Sequence, residues 1–232
     1  MGARPDRWRK WLDVITTLAV LVACLVLLWR IWPRSQPDPS SATALAIPAE
    51  PVSLADAQTK GSPTAQIGLL MFMDYQCPFC RRFHQQTLGE LERQYVEPGV
   101  LLLAFRQLPL TQLHSGAVAL AEGATCAGRQ GRFWEASMEL YRAPKAEPAV
   151  LPSLAKSMGL DVRAFERCLS GEAVDQVRRD MLAGNALGLG STPAFFLGRM
   201  DGTSLRVTKA FGGAKPLVAF QKAIEETLSQ SK

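Results

Sequence analysis

The segment QIGLLMFMDYQCPFC, residues 66 to 80, constrains the fold of this chain more than any other. Its first eight residues are apolar almost throughout, which is typical of a strand buried on both faces of a sheet. Pro78 suits the first turn of a helix, and helical spacing continues until the sequence EPG at 97–99. Two cysteines, Cys77 and Cys80, therefore lie where a buried strand gives way to a helix.

The order of the remaining elements predicts an α/β fold. A second apolar run, VLLLAFRQLPL, begins at Val100, so strand, helix and strand can form a right-handed parallel crossover. Residues 112–188 show helical spacing in several segments separated by Gly or Pro. Strands are predicted again in PAFFLG and LRVTKAF, and an amphipathic helix with Pro216 near its start closes the chain. The predicted order is βαβ, a helical block, then ββα.

The positive charge of the chain belongs to its N-terminus. The net charge is +5 at pH 7, and residues 1–34 hold six Lys and Arg against Asp6 and Asp13. Residues 35–232 therefore carry a net charge of only about +1. Without a basic face on the globular part, we do not expect nucleic-acid binding.

A single membrane-spanning helix is predicted over residues 11–32. The run from Val14 to Trp29 has sixteen residues and no charge, and about 22 apolar residues at ~1.5 Å each span a hydrocarbon core of ~30 Å. Because basic residues crowd its leading side, we expect residues 1–10 in the cytoplasm and the rest of the chain outside. A cleavable signal peptide and lipid attachment at Cys24 are the alternatives.

Composition and periodicity divide the rest of the chain. Residues 33–62 are rich in Pro, Ser and Ala and predict a linker, with a short strand near PVSL. The sheet and its helices are expected over 63–111 and 189–232, and the helical block between them is expected to form an inserted domain over 112–188.

The spacing of the first cysteine pair has a chemical meaning. A helix N-terminus stabilises negative charge, and the thiolate is the reactive form of cysteine. We therefore expect Cys77 to be the nucleophile and Cys80 the resolving thiol. A static bridge and a metal site are the alternatives; a zinc site lacks a second ligand pair, whereas a copper site of Cys77, Cys80 and His84 stays open.

Two motifs carry a resemblance to a known family. FMDYQCPFCRRFH, at 72–84, resembles the active-site segment of the DsbA-like thioredoxin-fold thiol–disulfide oxidoreductases, and GLGSTP, at 188–193, resembles their second signature. The resemblance extends over most of residues 52–230. It implies a thioredoxin fold with an inserted helical domain, and a cis proline at Pro193, after Thr192, that packs against the active-site cysteines.

The resemblance also implies a function. It predicts a protein thiol–disulfide oxidoreductase outside the bacterial cytoplasmic membrane, which acts on exported proteins with cysteines and uses no cofactor. A quinone-linked membrane protein is the expected oxidant of the reduced enzyme, and the protein is expected to be a monomer. A disulfide reductase or isomerase on the same fold is the alternative.

The chain departs from the family at one position. Some members carry an acidic residue six positions before the first cysteine, where this chain has Met71. Asp74 is the nearest carboxylate and either moves protons in its place or is a surface residue at the strand end. Arg81 and Arg82 either add positive potential near Cys77 or are solvated helix charges, and His84 and His114 are interpreted as structural or surface groups.

Two further cysteines, Cys126 and Cys168, lie in the predicted helical block. If Cys77 pairs with Cys80, these two remain to pair with each other. In an oxidising compartment they are expected to form a structural disulfide. Two free buried thiols are the alternative.

Overall fold

A computed structural model describes residues 6–31, 45–143 and 145–229. The chain divides into two compact units, Met1–Ser41 and Ala42–Lys232. All described residues of the first unit belong to one helix, α1 (Asp6–Ile31). Among the described residues, no helix is both long enough and apolar enough to cross a membrane, so the span predicted over 11–32 is not shown.

The second unit is built around a mixed sheet. Its described strands are β1 (Val52–Ser53), β2 (Gln58–Lys60), β3 (Ile67–Met73), β4 (Leu101–Gln107), β5 (Ala194–Asp201) and β6 (Ser204–Gly212). Their order in the sheet is β1-β6-β5-β3-β4-β2. Strands β3 and β4 are parallel, and the other neighbours are antiparallel. The parallel crossover predicted from the two apolar runs is confirmed.

Strand β3 is an interior strand of the sheet, and every residue in it is buried. Because side chains alternate between the faces of a strand, Leu69 and Met71 join one apolar cluster and Leu70 and Phe72 join the other. The first cluster also contains the cysteine pair and much of the helical block. The cysteines therefore rest on the core that joins sheet and helical block.

The helix between β3 and β4 begins at Pro78 and is irregular. It consists of α2 (Pro78–Phe83), a π-helical turn (His84–Leu88), α3 (Gly89–Leu91) and a second π-helical turn (Glu92–Val96). The predicted break at EPG is found, since Gly99 has a φ of +80°, which glycine adopts without a steric penalty.

The helical block lies between β4 and β5, as predicted. It contains α4 (Ala117–Arg129), α5 (Phe133–Arg142), a 3₁₀ turn (Pro148–Val150), α6 (Leu151–Ser157), α7 (Val162–Leu169) and α8 (Glu172–Ala186). Helix α4 packs against α5, α7 and α8. Its buried face is mostly small side chains, and a Cβ at Gly123 would clash with Leu151, so close packing depends on these small residues.

Part of the stretch over 33–62 that was predicted to be a linker belongs to the sheet. Strand β1 pairs with β6 and β2 pairs with β4, so both belong to the sheet. Between them Leu54 is buried in the second apolar cluster. One buried leucine and a few edge pairings hold a stretch whose composition is typical of a linker. Residues 32–44 lie outside the described part of the chain.

The C-terminal part has the predicted strand, turn, strand and helix. Strands β5 and β6 form a hairpin around Gly202, which has a φ of +60°. A register shift falls at Gly198, where a Cβ would clash with the backbone of Arg206. Helix α9 (Leu217–Ser229) then covers the sheet, and Phe220 and Ile224 are fully buried in the first cluster. The predicted βαβ, helical block, ββα order is thus confirmed.

Candidate active site

The end of β3 and the start of α2 place the two cysteines. The strand ends at Met73, and a short turn leads to Cys77, the residue before the first helical position. Pro78 fits that position because its missing N–H would have had no partner within the helix. Cys80 lies about one turn further along the helix and faces the core.

Both cysteines have free thiols in this structure and are almost enclosed. Cys77 is 4% exposed and Cys80 is 0% exposed. The Sγ of Cys77 donates a hydrogen bond to the carbonyl oxygen of Thr192 at 3.3 Å. Of the two sulfur atoms, only that of Cys77 belongs to a residue that an incoming group can reach.

Hydrogen bonds lower the pKa of Cys77 to about 6. The bond from the Cys80 thiol contributes most, while burial acts in the opposite direction; the Thr192 side chain and the backbone of Phe79 and Cys80 add smaller lowering contributions. Such bonds favour the thiolate because it accepts them more strongly than the neutral thiol does. At neutral pH Cys77 is therefore mainly a thiolate, the reactive form.

The pKa of Cys80 moves the other way. Burial raises it well above the ordinary value of a thiol, and the hydrogen bond to Cys77 and the charge on Cys77 raise it further. Cys80 therefore keeps its proton at neutral pH. Two sulfur atoms one helical turn apart thus differ in protonation.

The loop between α8 and β5 brings Thr192 and Pro193 to the cysteines. The peptide bond between these two residues is cis. The carbonyl of Pro193 accepts a hydrogen bond from the N–H of Gly213 at 2.9 Å, which ties the loop to the end of β6. The structure thus brings Cys77, Cys80 and Thr192 together, with Pro193 as the next residue in the chain.

Comparison with protein families agrees with this arrangement. A family model described as Thioredoxin matches residues 55–213, more than half of the chain. The chain belongs to the thioredoxin family.

Individual relatives are more distant. The chain is 28% identical over 199 residues to the Na(+)/H(+) antiporter NhaA 1 of Mycobacterium sp. (strain KMS), a match that covers 84% of this chain and 31% of that protein. It is 26% identical over 149 residues to the probable disulfide bond formation protein D of Bacillus anthracis, covering 60% of this chain and 69% of that one. The chain therefore spans about a third of the length of the antiporter relatives.

A solved structure shows the same fold. The crystal structure of alpha-DsbA1 from Wolbachia pipientis superposes with a TM-score of 0.67 at 23% identity, covering 77% of this chain and 94% of that chain. The prediction of a thioredoxin fold with a helical insert, similar to that of alpha-DsbA1, is confirmed.

Behind Cys80 lies a group of buried polar side chains that sequence analysis did not identify. The Oη of Tyr75 lies 2.7 Å from the Oγ of Ser137, and the rings of Tyr75 and Tyr141 pack with centroids 4.8 Å apart. Among the described residues, the Tyr141 hydroxyl has no hydrogen-bond partner. Their proximity depends on how α5 packs against the sheet, so no local sequence signal marks them.

Asp74 is not the surface residue that one interpretation predicted. Its side chain is 0% exposed, and its Oδ2 lies 2.8 Å from the Nδ1 of His114. Oδ1 accepts a hydrogen bond from the N–H of Gln76, and Oδ2 accepts one from the N–H of Leu110, each at 2.8 Å. Met71, at the position where some relatives carry an acid, is fully buried in the apolar core.

His84 does not complete a metal site with the cysteines. Its ring packs against Tyr141 with centroids 4.7 Å apart, and burial lowers its pKa to about 4. Within the described part of the chain, no group of three His, Cys, Asp or Glu residues could hold a metal ion. The described residues therefore do not show the copper site of Cys77, Cys80 and His84.

The two arginines after Cys80 do not account for the reactivity of Cys77. Arg82 is exposed, with its guanidinium 5.5 Å from the ring centre of Phe79. The pKa of Cys77 is lowered mainly by hydrogen bonds rather than by these charges.

In the helical block, Cys126 of α4 and Cys168 of α7 form a disulfide with an S–S distance of 2.07 Å. The two residues are 42 positions apart in sequence, so the bond closes a long loop. It ties together two helices of the block.

Proposed function

We propose that this protein exchanges disulfide bonds with exported, cysteine-containing proteins through Cys77 and Cys80. One observation carries the proposal: the surroundings lower the pKa of one sulfur and raise that of the other. A low pKa makes Cys77 a good leaving group that is ionised at neutral pH, and a high pKa lets Cys80 take up a proton when it is released. Thiol–disulfide exchange needs this division of roles.

In the proposed reaction a substrate thiolate attacks the Sγ of Cys77 in the oxidised pair. The bond to Cys80 breaks, and the Cys80 sulfur leaves with the electron pair and takes up a proton. A second substrate thiolate then attacks the substrate sulfur of the mixed disulfide, and Cys77 leaves as a thiolate. The substrate is oxidised to a disulfide, and the enzyme pair is reduced by the same two electrons.

We propose that the protein donates disulfides. A Cys77 pKa of about 6 lies one unit below pH 7 and favours the reduced enzyme by roughly 1.4 kcal/mol, or about 30 mV. In a glutathione equilibrium, a reduction potential clearly above the ~−270 mV of thioredoxin supports donation. A potential at or below that value supports the reductase or isomerase alternative.

The location and partners of the protein are proposed from the sequence and its relatives. The proposed site of action is outside the bacterial cytoplasmic membrane, with attachment through residues 11–32 and reoxidation by a quinone-linked membrane protein. The similarity to a probable disulfide bond formation protein supports the proposed site of action. Recovery in the alkaline-washed membrane fraction, with the cysteine pair accessible to an impermeant reagent, supports attachment; recovery in the wash contradicts it.

Transfer of a disulfide tests the function directly. The oxidised full chain, mixed with a reduced unfolded protein that forms one disulfide, should oxidise it in an equimolar reaction. Cys77→Ser should abolish transfer, whereas Cys24→Ser, which changes a cysteine in the other unit, should leave it intact. Absence of transfer by the wild-type chain would reject the proposal.

A further inference from the structure

A carboxylate and a histidine beside the cysteines form a second polar centre that the exchange steps above do not use. Asp74 follows the last residue of β3, and its buried carboxylate contacts the Nδ1 of His114 at 2.8 Å. The His114 side chain is 18% exposed. The pair therefore connects the buried turn before Cys77 with solvent.

Hydrogen bonds decide which atom of this pair carries the proton. Both oxygens of Asp74 already accept backbone N–H bonds, from Gln76 and from Leu110. A carboxylate that acts as an acceptor on both oxygens leaves the Nδ1 of His114 as the donor. In that tautomer the Nε2 of His114 carries the lone pair and can take up a proton. A buried carboxylate that fixes a histidine in this way prepares it for acid–base chemistry.

The pair lies next to the reactive cysteine. The carbonyl oxygen of Asp74 accepts a hydrogen bond from the N–H of Cys77 at 3.2 Å. His114 borders a pocket of about 270 Å³ that is also lined by Gln76, the neighbour of Cys77, and by Arg81. The N–H of Arg81 donates to the carbonyl of Cys77 at 3.1 Å. The pocket therefore flanks the turn that carries Cys77.

Charged side chains lie around the His114 ring in the described part of the chain. Asp74 contacts it directly, and Arg81, Lys145 and Glu147 line the same pocket. Lys145 and Glu147 pair with each other, with Nζ and Oε1 3.0 Å apart. Asp74 is in direct contact with the ring.

We propose that His114, oriented by Asp74, is the general base that takes the proton from the substrate thiol as its sulfur attacks Cys77. The inference rests on the exchange reaction proposed above. The proton passes from the substrate sulfur to Nε2, the new bond to the Cys77 Sγ forms, and the bond to Cys80 breaks with its electron pair on Cys80. The imidazolium then releases its proton to solvent through the pocket.

The size of the effect follows from the chemistry of the substrate. A cysteine thiol with an ordinary pKa of ~8.5 is only about 3% ionised at pH 7, so complete deprotonation can accelerate attack by at most about 30-fold. The advantage must vanish above about pH 9, where the substrate thiol ionises by itself. An acceleration that is large near neutral pH and disappears above about pH 9 is therefore the signature of catalysis by a general base.

The test uses His114→Asn in the full chain. The Asn amide can donate to Asp74 in place of Nδ1, but it cannot accept the proton. The matched control is His84→Gln, because the chain has only these two histidines. Rates of reduction of the oxidised protein by a synthetic dithiol peptide are measured from about pH 6 to pH 9.5, with the glutathione equilibrium and the urea midpoint measured alongside.

His114→Asn should slow reduction by about 10-fold near pH 6.5 and approach the wild-type rate above about pH 9. Its glutathione equilibrium should not change, because a base alters the rate and not the equilibrium. His84→Gln should react like the wild type. A wild-type rate profile for His114→Asn, or a slowing that is constant with pH, overturns the inference. If the oxidised wild-type protein does not react with the peptide at all, the proposed function fails instead.

Discussion

Around the Cys77 sulfur, the Cys80 thiol, the Thr192 side chain and nearby backbone amides act as hydrogen-bond donors once the proton has left. These donors come from two places that are far apart in sequence, the start of α2 and the loop before β5. Burial favours the neutral thiol, yet the donors outweigh it. The reactivity of a single residue therefore depends on the correct contact between helix and loop.

The reduction potential of the pair should change its dependence on pH near pH 6. Below the Cys77 pKa of about 6, reduction takes up two protons and the potential falls by ~59 mV per pH unit. Above it Cys77 stays ionised, only Cys80 takes a proton, and the fall is ~30 mV per unit. Glutathione equilibria between about pH 5 and 8 measure the slope, and a uniform slope of ~59 mV would contradict the assigned pKa.

Two buried hydroxyls near Cys80 should differ in their effect on stability. Ser137→Ala removes a hydrogen-bond partner of the buried Tyr75 hydroxyl, and the loss of such a partner costs about 1–3 kcal/mol. Tyr141→Phe removes a hydroxyl that has no partner among the described residues, so it should be neutral or slightly stabilising. Urea unfolding of the two variants compares them, and an equal loss of stability would show that Tyr141 has a partner in solution.

At the scale of elements, a buried ion pair joins the helical block to the sheet. The Nη1 of Arg106 in β4 lies 2.8 Å from the Oδ1 of Asp180 in α8, and the two side chains are 6% and 4% exposed. The Oδ2 of Asp180 accepts the N–H of Gln107 at 3.0 Å. Burial raises the pKa of Asp180 to about 6, against the lowering effect of Gln107 and Arg106.

Removing one partner of this ion pair should lower the free energy of unfolding. Arg106→Met leaves the Asp180 carboxylate buried without its cation, which is expected to lower the free energy of unfolding by about 3–5 kcal/mol. The double variant Arg106→Met/Asp180→Leu removes both charges and should recover a large part of the loss. Urea unfolding of the single and double variants measures the difference, and a double variant less stable than the single one would contradict this account of the pair.

The disulfide between α4 and α7 should stabilise the helical block. With 42 positions between Cys126 and Cys168, the chain-entropy model gives about 3–4 kcal/mol. The double variant Cys126→Ser/Cys168→Ser should lose about that much in non-reducing urea unfolding, and peptide mapping of the wild type should find the link. Free thiols at both positions in protein from its native compartment would reject the bridge.

At the scale of the whole molecule, the order of the elements could be predicted from the sequence because each carries its own periodicity. The apolar runs before Cys77 and after Gly99 predicted the central parallel strands, and Pro78 marked the start of the helix. The cysteine spacing and the Thr192-Pro193 pair located the candidate site. These signals are local, so a single sequence is enough to detect them.

Contacts between distant segments could not be predicted in the same way. The pairing of β1 and β2 with the sheet depends on a few edge hydrogen bonds and one buried leucine. The contact of Asp74 with His114 joins residues 40 positions apart, and that of Tyr75 with Ser137 joins residues 62 apart. Such contacts depend on tertiary packing, which has no period or motif in the sequence.

The most direct test of the central claim is to locate the mixed disulfide by mass spectrometry. Full-length chains with Cys80→Ser or Cys77→Ser are incubated with a peptide that carries an activated disulfide, and the adducts are mapped. Because Cys77 is ionised at neutral pH and Cys80 is buried and protonated, Cys80→Ser should accumulate a stable adduct at Cys77. Cys77→Ser should form no comparable adduct. A stable adduct at Cys80 in Cys77→Ser, with none at Cys77 in Cys80→Ser, would contradict the account.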